Sequence, residues 1–73
     1  MVEIEIYTEF ITLGQFLKLS GLINNGGEAK NYIQNTVILV ENEVETRRGR
    51  KLRPGMTISI EGEKFLIVGN NEN

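Results

Sequence analysis

Five cationic side chains crowd into seven consecutive positions: Arg47, Arg48, Arg50, Lys51 and Arg53, in the stretch TRRGRKLRPG. The chain that carries them has 73 residues and a formal net charge of −2. Four of the five are arginines, whose planar and permanently charged fork pairs bidentately with phosphate and stacks on exposed bases. Charges this close repel one another, and a polyanion would relieve that repulsion. Gly49 allows a ligand close to the backbone. Outside this stretch three lysines (Lys18, Lys30, Lys64) stand against ten glutamates, a balance of −7. A strongly polarised molecule is predicted, able to orient on a polyanion although its total charge is acidic. Nucleic-acid binding is the favoured chemistry, with a solvated hairpin end and a contact for an acidic protein as the competitors.

Other chemistries have less to work with. The chain contains no histidine, no cysteine and no aspartate. The commonest general base, the thiolate nucleophile, the disulfide and the Cys- or His-based metal site are therefore excluded. Ser20, Ser59, the threonines and the lysines remain as nucleophiles, with nothing beside them to activate one. The glutamates show no spacing that would pair two carboxylates across a glycosidic bond, and they read as a solvated acidic face. The expectation is a protein that is not an enzyme and needs no metal or cofactor. Gly26-Gly27-Glu28, at the start of an expected helix, could offer backbone N–H groups to one phosphate. No Walker-type lysine and serine follow, so Gly26 and Gly27 are candidates for one contact in a larger surface, and the turn alone also explains them.

The elements that must position these residues are short. VEIEIY alternates apolar and acidic residues, which predicts a half-buried strand with Val2, Ile4 and Ile6 inward and Glu3 and Glu5 outward. Thr12 can cap a helix over LGQFLKLS, with Leu13, Phe16 and Leu17 on its apolar face, Gly14 as a local cost and Gly21 as its stop. NNGG is a turn, and EAKNYIQN a second short helix with Ala29, Tyr32 and Ile33 inward. VILV at 37–40 predicts a buried strand, Glu41-Asn42 a tight hairpin turn, and Val44 the start of its partner. Pro54-Gly55 suits the centre of a type II turn. MTISI, a turn at EGE, and KFLIV complete the pattern, with residues 69–73 expected to fray. The result is one α+β domain: a strand, two helices and four short strands.

LGQFLKLSGLINNGGEAKNYIQ followed by VILVENEVETRRGRKLRPGMTISI resembles the RNA-binding domain named after ribosomal protein S-four, also called the αL motif. The likeness runs from about residue 12 to 61, and the size, the extra N-terminal strand and the VETRRGRKL loop look most like the small stand-alone YaaA-type members of Gram-positive bacteria. It implies two antiparallel helices on a small bent, mostly antiparallel sheet, with an added N-terminal strand. It also implies that the helix faces and the adjoining loop form a surface for structured RNA, often ribosomal. Family members often open the first helix with arginine, leucine and aspartate, where this chain has Thr12, Leu13 and Gly14, and often place an arginine where Gly26 stands. Lys30 does match the basic position of the second helix. RNA contact is thus expected to shift toward the loop: Arg47, Arg48, Arg50, Lys51 and Arg53, extended by Lys30, with Lys18 flanking as a solubilising residue.

Phe16, Tyr32 and Phe65 sit at apolar positions, and the aromatic residues as a group are assigned to the core or its edge. Single-strand stacking is therefore not expected, and folded RNA read by shape and backbone is. The partner is expected to be structured RNA, with ribosome assembly or function first, tRNA handling or ribosome quality control second, and an acidic protein partner, including one on the ribosome, as the alternative. An interaction protein without RNA would instead use the acidic edge at Glu3 and Glu5. The acidic N-terminus and the lack of a long apolar run predict a soluble cytoplasmic protein that engages no membrane.

Overall fold

The computed structural model describes residues 1–70. In chain order the elements are β1 (Val2–Ile6), β2 (Ile11–Thr12), α1 (Leu13–Leu19), a 3-10 turn (Gly26–Glu28), α2 (Ala29–Gln34), β3 (Ile38–Val40), β4 (Glu43–Val44), β5 (Lys51–Leu52), β6 (Thr57–Ile60) and β7 (Glu63–Gly69). Five strands form one sheet in the order β1-β7-β6-β3-β4, while β2 and β5 make a separate two-stranded ribbon. Every pairing is antiparallel except β1 with β7, where Val2 to Ile6 run alongside Phe65 to Gly69. The fold is a small α+β arrangement with an added N-terminal strand, as its residue pattern predicts.

Alternating strands and two amphipathic helices each need a cover for an apolar face, and they provide it for one another. Leu13, Phe16 and Leu17 of α1 and Ala29 and Ile33 of α2 meet Ile38, Val40, Ile58, Ile60, Phe65 and Ile67 of the sheet in a single buried cluster. Phe16 and Phe65 cross edge to face at 5.2 Å between centroids. Leu52 is fully buried and ties the small ribbon to this core. Burial grows along β1, from the exposed Val2 through Ile4 to Ile6 at 2% exposure.

Local signals explain the boundaries. Thr12 accepts a hydrogen bond at its hydroxyl from the Gln15 N–H, and the Gln15 side chain accepts from the Thr12 N–H, a reciprocal capping box. Replacing Thr12 by alanine should cost about 1 kcal/mol of stability, read as a lower urea midpoint that serine at the same position restores. Glu41 and Asn42 both adopt positive φ in the β3–β4 turn, the pair of angles that a two-residue hairpin requires. For a glutamate that conformation is unfavourable, and its carboxylate compensates by accepting from the Thr57 N–H at 2.7 Å and the Thr57 hydroxyl. Gly55 at φ 94° and the Met56 N–H to Arg53 carbonyl bond confirm the turn at Pro54-Gly55.

Several expectations are corrected. The second helix is six residues long and starts at Ala29, because Asn25 caps a 3-10 turn at Gly26–Glu28 first. Val37 lies outside β3 and is exposed, since only Ile38–Val40 finds a partner strand. The basic stretch is not wholly loop: Lys51–Leu52 is strand β5, paired with Thr12 and Ile11. Gly69 and Asn70 are not frayed, because Gly69 pairs with Ile6 and the Asn70 N–H donates to the Ile6 carbonyl. The rest of the expected tail, 71–73, lies outside the described residues. Among the described residues no helix is long and apolar enough to cross a membrane.

Candidate nucleic-acid interface

The segment from Glu45 to Arg50 is laid across the first turn of α1. A helix start leaves N–H groups without intrahelical partners. Here the Leu13 N–H donates to the Arg50 carbonyl at 2.8 Å and the Gly14 N–H to the Arg48 carbonyl at 3.0 Å. Gly14 makes the approach feasible: a Cβ at this position would stand 3.0 Å from Arg48 Cγ. The glycine that looked like a cost to the helix leaves room for the Arg48 stem.

Glu45 fixes the other side of the segment. Its side chain is 6% exposed, and it is the buried charged residue of the described chain. One carboxylate oxygen accepts from the N–H groups of Thr46 and Arg47 and from Arg47 Nε, at 3.1, 2.9 and 2.9 Å. The other accepts from Arg47 Nη2 at 3.1 Å and Arg50 Nη1 at 2.8 Å. The Arg47 side chain holds the Glu45 carboxyl down at about 2, against an ordinary value of 4.5, with the Arg47 backbone and Arg50 adding to the effect and burial opposing it. Arg47 is raised in turn by Glu45.

The five cations of the stretch thus divide into three groups. Arg47 and Arg50 are paired to Glu45. Arg48 leans toward the helices, where it lines an open groove of about 460 Å3 with Gln15, Lys18 and Gly26, and a second with Lys30, Gln34 and Thr46. Arg48 therefore stands between Lys18 and Lys30, so the lysine read as merely flanking joins the same surface. Lys51 and Arg53 emerge on the outer face of the β2–β5 ribbon, over the ring of Phe10 at 5.0 and 5.3 Å from its centroid. Among the described residues Arg48, Lys51, Arg53, Lys18 and Lys30 make no ion pair.

Two sequence-based assignments change. The Gly27 N–H is already engaged, donating to Asn25 Oδ1 at 3.0 Å, while the Glu28 carboxylate accepts from the Asn24 N–H and the Asn25 side chain. A phosphate at Gly27 would have to displace Asn25 beside an existing negative charge. Nor are all the aromatic residues core: Tyr7 is 73% exposed and Phe10 is half-buried beneath two cations. Sequence reasoning missed Glu45 and Phe10. The signal for Glu45 was its place one residue past a β-hairpin strand, opposite Ile38, where an inward side chain is expected.

The S4 domain family profile matches residues 4–68 of the chain. A Bacillus subtilis (strain 168) protein named "Probable ribosome maturation protein RlbA" is 52% identical over 66 residues, covering 89% of this chain and 93% of the relative. An Escherichia coli (strain K12) protein named "Putative RNA-binding protein YbcJ" is 34% identical over 58 residues, covering 80% of this chain and 83% of the relative. The matched span takes in the helix pair, Glu45 and the whole basic stretch, and the chain belongs to the S4 domain family.

Proposed function

We propose that this chain binds structured RNA without catalysing a reaction on it, and that the RNA is ribosomal, met during ribosome assembly or function in the cytoplasm. One observation carries the reading. Among the described residues Arg48, Lys51, Arg53, Lys18 and Lys30 have no carboxylate partner, and the scaffold that presents the basic stretch is fixed at both sides, by α1 and by Glu45. A cation left unpaired on a pre-ordered backbone is available to phosphate with little ordering cost. Arg47 and Arg50 belong to the same surface chiefly as its frame. The relatives' names, one in ribosome maturation and one in RNA binding, support the same class.

If four or five cations neutralise phosphates, log affinity for RNA should fall with log salt at a slope of about −3 to −4.5. The particle is identified by sedimenting the tagged protein from lysate through a sucrose gradient at low and high salt, with and without ribonuclease. Co-migration with a ribosomal subunit, released by both treatments, is the expected result. Release by salt but not by ribonuclease would replace RNA with an acidic protein partner, and migration at the top of the gradient in every condition would remove the ribosomal role.

A further inference from the structure

The outer face of the β2–β5 ribbon is built differently from the helix grooves. Lys51 and Arg53 flank the buried Leu52, so both side chains leave the ribbon on the side opposite the core. One residue beyond the Ile11–Leu52 pair, Phe10 lies on that same side and places its ring under both cations. Two like charges two residues apart on a strand repel, and a carboxylate between them would be the ordinary remedy, as Glu45 is for Arg47 and Arg50. Here an aromatic ring occupies that place. Its quadrupole holds the cations in position without neutralising them, so their charge remains available to an incoming anion.

We propose that Phe10, Lys51 and Arg53 form a nucleotide clamp that takes one unpaired base of the bound RNA together with its phosphate. The inference rests on the RNA-binding reading and adds to it that the RNA is not uniformly duplex where it meets this face. Lys51 supplies a point charge for the phosphate. Arg53 is exposed, with its guanidinium carbon 5.3 Å from the Phe10 ring centroid, and supplies the planar cation on which an unstacked base would stack. A duplex alone would need only the charges, because its bases are stacked on one another and cannot reach a guanidinium plane.

The test compares two RNA probes by fluorescence titration with the full chain: a fully paired blunt duplex, and the same duplex carrying one bulged nucleotide that is a fluorescent purine analogue. The intact protein should prefer the bulged duplex roughly ten-fold and quench the analogue. Phe10→Leu should collapse that preference toward parity, with circular dichroism confirming that the variant is folded. Arg53→Lys, which keeps the charge but loses the plane and sits on the surface, should do the same. Equal affinity of the intact protein for both probes, or an equal fall on both in each variant, overturns the clamp while leaving RNA binding in place. No binding to either duplex at low salt defeats the RNA reading and the clamp with it.

Discussion

Replacing Arg48, Lys51 and Arg53 together by glutamine should weaken RNA binding roughly a hundred- to a thousand-fold and flatten the salt dependence by about 2.7 in slope. The three are chosen because none is paired to a carboxylate among the described residues, and together they reach two parts of the surface: the helix grooves for Arg48, the ribbon face for Lys51 and Arg53. Glutamine removes the charge while keeping a polar side chain and the stem as far as Cδ, so packing of the inner stem is largely preserved. The informative contrast is Arg47 with Arg50. Glu45 already offsets one of their two positive charges, so replacing them should lower stability more than it changes the salt slope. A slope that drops equally for both sets of substitutions would mean that Glu45 releases its arginines when RNA arrives. No change in slope for the triple variant would remove these side chains from the interface altogether.

This contrast marks the limit of what the stretch reveals as sequence. Arg47, Arg48, Arg50 and Arg53 are the same residue type within seven positions, and residue type alone does not distinguish a free one from a paired one. The distinction comes from Glu45, two and five residues away, for Arg47 and Arg50, and from contacts across the fold for the others, the α1 start for Arg48 and Phe10 for Arg53. Features set by short-range chemistry were legible. Thr12 followed by Gln15 three residues later caps a helix, Leu13, Phe16 and Leu17 give it an inner face, and Glu41-Asn42 and Pro54-Gly55 each fix a turn. The β2–β5 ribbon was not legible because two residues on each strand are too few for any period to show. Val37 failed for the converse reason: its β-branched type favours a strand, but no partner backbone lies beside it. Gly26 and Gly27 were candidates for one phosphate contact or for a turn alone, and the Gly27 N–H donates to Asn25 Oδ1 within that turn.

The division of labour also accounts for the polarised charge. Glu45 immediately precedes the basic stretch and pairs with two of its arginines, so it moderates the repulsion between Arg47 and Arg50. The outward glutamates of β1 lie at the far edge of the sheet, where Glu5 accepts from Tyr7 and Asn70. The split between +5 at residues 47–53 and −7 over the rest of the sequence favours a fixed orientation on a polyanion over indiscriminate adhesion.

Glu45 is where stability and binding meet, and its removal should expose both. Glu45→Ala leaves the Thr46 and Arg47 N–H groups and the partly covered Arg50 guanidinium without their acceptor, at a cost of about 3 kcal/mol. A chain of this size has only about 4 to 11 kcal/mol to lose, so urea unfolding should show a large shift. Glu45→Gln keeps one acceptor for the backbone and should cost less. The pH dependence separates the charge from the shape. Because the folded carboxyl is held at about 2 and its ordinary value is 4.5, its stabilisation is complete above pH 4.5 and is lost as pH falls toward 2. That loss should reach on the order of 2 kcal/mol in the intact chain and be missing from Glu45→Gln. Parallel pH curves for the two proteins would show that the carboxylate is not held low. RNA affinity then supplies a result of opposite sign. Glu45→Gln makes the surface more positive, so charge alone predicts tighter binding and a loosened loop predicts weaker binding. We expect the weaker outcome, because the Arg48 and Arg50 carbonyls that seat the loop on α1 depend on the conformation Glu45 imposes. Tighter binding by a fully folded Glu45→Gln would show instead that the number of free charges, rather than their placement, governs recognition.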